Sequence, residues 1–293
     1  MKISLKEWPL IIFTVLVQTV VGFFVFLFVL VVINRHYFFG SASIGPFSRL
    51  FRPALSLLLL MGLSLIVSLF HLGHPSAAYL AITNLKSSWL SREILGSSLF
   101  FGGLVLLTVF IFLGCSPVLI LIIAFLEVLV GLAMPFIMSK IYRLPAVPAW
   151  NNCRTTLSFY LTTFLAGAGC LPLAGRYFFS AWPGSTLARQ TIIILQVSLF
   201  FSTGCLLLFD QVVGLFSLKS EIQPEKFQSL KKISKIRPGL LILAFLSSFF
   251  LSWPASSSWL SGFFWPALIL ALVIIEEIIG RAVFFNLYER LGV

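Results

Sequence analysis

Charge is what this chain has least of. Only 10% of its 293 residues are charged and just 9 are acidic, where a soluble domain would carry roughly 25% charged residues. The longest polar stretch runs from about Lys219 to Arg237, too short for a water-soluble domain, so chemistry on a water-soluble substrate falls to a partner. Histidine is scarce: His36, His71 and His74 are the whole supply. A haem b between helices needs two histidines on facing spans. His36 falls on the opposite face from the other two, which share one segment, so no bis-histidine haem is expected. The four cysteines (Cys115, Cys153, Cys170, Cys205) show no C-x-x-C or other ligand spacing. They give no basis for an iron–sulfur cluster, a zinc site or a disulfide.

What the chain does contain is apolar. Hydrophobic residues make up 59%, mean hydropathy is +1.07, and the 32 phenylalanines suit lipid-facing helices. A bilayer core takes about 20 apolar residues per helix. Spans on that scale read at about 8–33, 54–70, 94–113, 118–138, 157–173, 191–209, 238–253 and 262–285. The expected fold is an all-α integral membrane protein: one polytopic domain over residues 1–293, eight transmembrane helices, both termini on the same side. The head Met1–Lys6 resembles a signal peptide, but the apolar run from Trp8 to Ile33 exceeds an h-region of roughly 7–15 residues and has no small-x-small cleavage site. It reads as a retained first span. Gly114-Cys115-Ser116-Pro117 is a tight break, and Pro145 and Pro148 stiffen the next loop, since proline fixes φ and removes a donor. All seven tryptophans fall at or near span ends, as interfacial tryptophans do.

The polar residues near the membrane edge carry the functional signal. His71 ends the second span and Glu93 opens the third, 22 residues later. One hairpin loop separates them, which puts both at a lipid–water boundary on the same face. Two readings of His71 stand: a structural imidazole on a backbone carbonyl, or a proton acceptor for a lipid-soluble donor, which a pKa near 6.5 suits. Glu93 likewise reads either as a first-turn acid behind an N-cap at Ser91 or as a proton exit towards water. Deeper acids are fewer. Glu277 and Arg281, four apart, can pair on one face beside Glu276. Glu127 sits mid-span, where an ionised acid costs about 2.5–3.5 kcal/mol, and is expected to face the bundle. Asp210, near the end of the sixth span, reads as interfacial.

Sidedness has two opposing signals. The face bearing the termini holds 15 of the 20 basic residues, which makes it cytoplasmic by the positive-inside rule. The same bias could instead dock an acidic partner.

Several short pieces together resemble the membrane-anchor subunit of the bacterial dimethyl sulfoxide reductase family. They are Glu7-Trp8-Pro9-Leu10-Ile11-Ile12-Phe13-Thr14-Val15, His71-Leu72-Gly73 with Pro75, Leu90-Ser91-Arg92-Glu93-Ile94, Tyr142 with Val147-Pro148 and Trp150, and Glu277-Ile278-Ile279-Gly280-Arg281. Their order and spacing cover most of the chain, with about 174–260 the least recognisable part. The resemblance implies a multi-pass protein of the bacterial inner membrane that oxidises menaquinol without performing the terminal reduction. Its implied partners are an iron–sulfur subunit, a molybdopterin catalytic subunit and membrane lipid, with no nucleic acid. The chain itself would hold no haem, iron–sulfur cluster or molybdenum, and its termini would be periplasmic. The family's quinol-linked histidine and glutamate fall on His71 and Glu93, as quinol deprotonation and proton relay. Gly73, which lets backbone come close, and Arg92 complete the expected pocket. Two rival expectations are a proton-coupled transporter using Glu127, Asp210 and Glu276, and a structural anchor without quinol chemistry.

Overall fold

The computed structural model describes residues 8–40, 49–70, 84–147, 150–178, 186–216, 235–252 and 259–286. Among these the regular structure is entirely helical. The helices are α1 (Trp8–Ile33), α2 (Arg35–Phe39), α3 (Phe51–Leu69), α4 (Trp89–Phe112), α5 (Pro117–Tyr142), α6 (Cys153–Phe178), α7 (Thr186–Phe216), α8 (Ile236–Ser248) and α9 (Trp259–Asn286). A 3-10 turn, Phe249–Ser252, continues α8. A helix stands at each position where the sequence placed a span, and the short α2 is additional. Five of them, α1, α3, α4, α5 and α6, are long and apolar enough to cross a membrane.

Several helices overrun the apolar stretches that announced them. α4 begins at Trp89 instead of residue 94, and α6 extends over Cys153–Phe178 instead of 157–173. Hydropathy marks only the hydrocarbon-deep part of a helix, whereas its ends are set by capping groups. The N-cap expected at Ser91 is in fact Ser88, whose side chain accepts from the Ser91 N–H. Glu93 is therefore a full turn inside α4. The α4–α5 break is built as its sequence suggested. Gly114 takes φ 72°, and the Cys115 N–H donates back to Phe110 O at 3.0 Å, a glycine-closed helix end. Ser116 then caps α5, with Pro117 as its first residue.

The bundle is organised around α1 and α6, the most buried of the five candidate spans. α1 packs against α3, α5, α6 and α9, while α6 also meets α5, α7 and α9. Their backbones touch. A Cβ at Gly22 would lie 1.8 Å from Thr163 O, and one at Gly167 would lie 2.2 Å from Gly22 C. Thr163 and Gly167 are four apart, the small-residue spacing that permits close approach of helices in lipid. On the other flank α3 and α4 run antiparallel. The Phe51 and Phe112 rings pair at 5.7 Å, and a Cβ at Gly62 would sit 3.5 Å from the Phe101 ring. Both contacts follow one register, and the same register sets Phe70 level with Glu93.

One end of the bundle gathers aromatic rings. Trp8 lies against Phe70 at 6.3 Å, and Trp89 meets Phe136 edge-on at 6.0 Å. Trp150 stacks on Phe284 at 5.1 Å and donates from Nε1 to Phe284 O at 2.9 Å. Tyr142 contacts both rings of that stack. This end thus holds the start of α1, α4 and α6 and the close of α3, α5 and α9.

A branched side chain at the α1–α6 contact has no room, because the obstructing atoms are backbone. Gly167→Val should lower the thermal unfolding midpoint in detergent by the equivalent of about 1–3 kcal/mol or more. Gly102→Ala, with nothing within 4 Å of the new methyl, should leave the midpoint in place.

Candidate functional site

The inward face of α4 repeats at helical spacing: Glu93, Ser97, Phe100 and Leu104 are all buried. The first two are polar, with Glu93 5% and Ser97 2% exposed. Among the described residues neither Glu93 Oε1 nor Ser97 Oγ has a hydrogen-bond partner. Other buried helical hydroxyls bond back to a carbonyl one turn earlier, as Thr14, Thr19, Ser64, Thr108 and Thr163 do. Leaving a buried polar atom unpaired costs about 1–3 kcal/mol. Two such atoms, four residues apart on one face, are the chemistry of a site that takes a polar ligand.

His71 and Gly73 lie outside the described residues. Phe70, the last described residue before them, is level with Glu93 in the α3–α4 register. Arg92 is differently engaged. Its Nε and Nη2 donate to Leu85 O and Lys86 O, each at 2.8 Å, and its guanidinium lies 4.1 Å from the Trp89 ring centroid. It ties the turn before α4 to the helix, and Lys140 Nζ approaches the same ring at 5.9 Å.

A second polar cluster joins α1, α6, α8 and α9. Thr162 Oγ1 donates to Glu277 Oε2 at 2.7 Å, while Arg281 Nη2 reaches Thr162 Oγ1 at 3.2 Å and Gln18 Oε1 at 2.8 Å. Glu277 and Arg281, expected to pair directly, are linked through the Thr162 hydroxyl that both contact. Arg281 also rests 3.6 Å over the Phe159 ring. Glu276 is bridged by Arg237 from α8 at 2.6 Å. With two acids and two guanidiniums the cluster is neutral as a whole, which is what makes it tolerable in an apolar bundle. Gly280 makes room for it, since a Cβ there would meet the Arg237 guanidinium at 2.4 Å.

Glu127 stands apart. Its carboxyl fills a notch left by Gly103 of α4, where a Cβ would lie 1.9 Å from Oε2, and its Oε1 is buried without a partner among the described residues. At the far end of the bundle from Glu93, an apolar cleft lies between α1, α3, α4 and α5, lined by Phe28, Val31, Ala54, Leu107 and Ile120 among others. It contributes no polar group. Nothing in the residue order marks Ser97, Thr162 or Arg237 as members of these clusters. Gln18 alone leaves a trace, as a lone amide inside the apolar run of α1.

Long apolar helices packed through glycines, with a neutralised charge cluster inside, define a multi-pass membrane protein. The model of the DMSO reductase anchor subunit (DmsC) family matches residues 1–287, and the chain belongs to that family. It is 31% identical to the anaerobic dimethyl sulfoxide reductase protein YnfH of Escherichia coli, over 98% of this sequence and 96% of that one. The anaerobic dimethyl sulfoxide reductase C subunit of Haemophilus influenzae is 32% identical over 57% of this sequence and 58% of its own. The C subunit of the Escherichia coli enzyme is 31% identical over 66% of each.

The shared hydroxyl gives a direct test of the charge cluster. Thr162→Val deprives Glu277 of a donor and Arg281 of an acceptor, and should cost about 1–3 kcal/mol of stability, read as a lower unfolding midpoint in detergent. Thr162→Ser should retain wild-type stability.

Proposed function

We propose that this anchor subunit binds and oxidises menaquinol where α3 ends and α4 begins. The observation that carries the reading is the Glu93 carboxyl: buried, its Oε1 unpartnered among the described residues, and level with Phe70, the last described residue before His71. Such an orphaned acid fits a ligand that arrives from lipid with hydroxyl groups to donate. His71 accepts a hydrogen bond from the outer quinol hydroxyl, and Glu93 hands that proton towards the aqueous end. Gly73 allows backbone to approach the ring, and Arg92 holds the turn that frames α4's entry. The isoprenoid tail lies along the apolar faces of α3 and α4, where Leu63, Ile66 and Leu99 are exposed. Quinol oxidation releases two electrons and two protons; the electrons pass to an iron–sulfur subunit, which supplies a molybdopterin subunit that performs the terminal reduction.

In this reading eight helices cross the bacterial inner membrane and both termini share one face. The contact of Trp150 with Phe284 supports that arrangement, since it sets the start of α6 beside the close of α9. The end rich in aromatic rings is then the face on which the partner subunits sit. Against a transporter, Glu276, one of the coupling acids it would need, is committed to Arg237.

The test uses the assembled complex. His71→Asn and Glu93→Gln should each lower menaquinol-dependent reduction about 100-fold or more, the contribution usual for a positioned proton-transfer group. Reduction driven by an artificial donor to the catalytic subunit should stay at the wild-type rate. Undiminished quinol-dependent turnover in both variants would reject the reading.

A further inference from the structure

We propose that Ser97 is a second polar contact of the quinol ring, holding its deeper oxygen while His71 and Glu93 serve the outer one. This rests on the quinol-oxidising reading above and adds to it a residue one turn further into the bundle. Three observations carry it.

Ser97 is 2% exposed and its Oγ has no partner among the described residues, although a serine in a helix has an acceptor within reach in its own backbone. Its neighbour Ser98, facing outward, uses that acceptor, bonding to Ile94 O at 2.8 Å. Ser97 and Glu93 are also four apart, so they lie on one side of α4 about 6 Å apart along its axis. That separation is comparable to the span between the para oxygens of a hydroquinone ring. Finally, the adjoining residue Gly96 meets α5 through Met134, where a Cβ would lie 2.7 Å from its sulfur, an atom that is no strong donor or acceptor.

The chemistry of a hydroxyl suits the deeper position. The ring oxygen there is a donor in the quinol and an acceptor in the quinone. A serine is both donor and acceptor, so it follows that change by rotating its hydrogen and is itself left unchanged. The proton that the deeper oxygen loses goes to the Glu93 carboxylate on the same side of α4, once Glu93 has passed the outer proton to the aqueous end. Ser97 is therefore a binding contact, distinct from the proton-transfer groups at the mouth.

Steady-state kinetics of the assembled complex with a short-chain menaquinol analogue test this. Ser97→Ala should raise KM for the quinol about tenfold, as loss of one buried hydrogen bond does, with kcat held. Ser97→Thr, which keeps the hydroxyl, should bring KM back towards wild type, and artificial-donor reduction should be unchanged in both. An unchanged KM in Ser97→Ala, beside a Glu93→Gln variant that has lost quinol turnover, would overturn the Ser97 contact alone. A KM that Ser97→Thr does not restore, or an equal fall in artificial-donor reduction, would also overturn it by assigning the residue to packing or assembly. Full quinol turnover in both His71→Asn and Glu93→Gln would instead remove the reading on which the contact rests.

Discussion

Two glycines let the backbones of α1 and α6 touch, and the rest of the bundle is arranged around that crossing. Lipid tails are as apolar as the helices they surround, so burial of hydrophobic surface does little to hold helices together in a bilayer. Close backbone packing and internal polar bonds have to do it instead. Gly22 against Thr163 and Gly167 supplies the first. The second follows directly from it, since the same crossing brings Gln18 of α1 and Thr162 of α6 within reach of one guanidinium from α9.

The polar residues inside the bundle sort into two kinds. Around Arg281 and Arg237 every charged group has a bonded partner on another helix, which is the arrangement of a structural tie, although Gln18 Nε2 and Glu276 Oε2 stay unpaired among the described residues. Glu93 and Ser97 are buried just as deeply, yet among the described residues no partner on another helix ties Glu93 Oε1 or Ser97 Oγ. The bonds between helices mark the first set as framework, and their absence at the second is what suits a place of binding.

Much of the architecture was legible in the sequence, for reasons that differ by element. α1 was bounded at Trp8 and Ile33 because its apolar run is unbroken and ends abruptly. The α4–α5 turn was readable because glycine and proline occupy the positions where a closed helix end and a new first residue demand them. The start of α4 was missed by five residues, since Trp89 to Glu93 forms helix in the interfacial region, where hydropathy is mute. Glu93 and Arg92 were visible as charges beside an apolar run, although Arg92 proved to be bonded to Leu85 O and Lys86 O. Ser97 was not visible, because a helical serine is ordinarily satisfied by its own backbone and nothing in the residue order says otherwise. Arg237 and Glu276 are 39 residues apart, and their bridge depends on where α8 docks, which no local pattern encodes.

The closed turn at Gly114 fixes more than the end of a helix. Only four residues separate Phe112 from Pro117, so α4 and α5 are held antiparallel in one alignment, and that alignment sets Glu127 opposite Gly103, where a missing Cβ leaves space for the carboxyl. The length of a loop thus matches an acid to the one neighbour small enough to receive it.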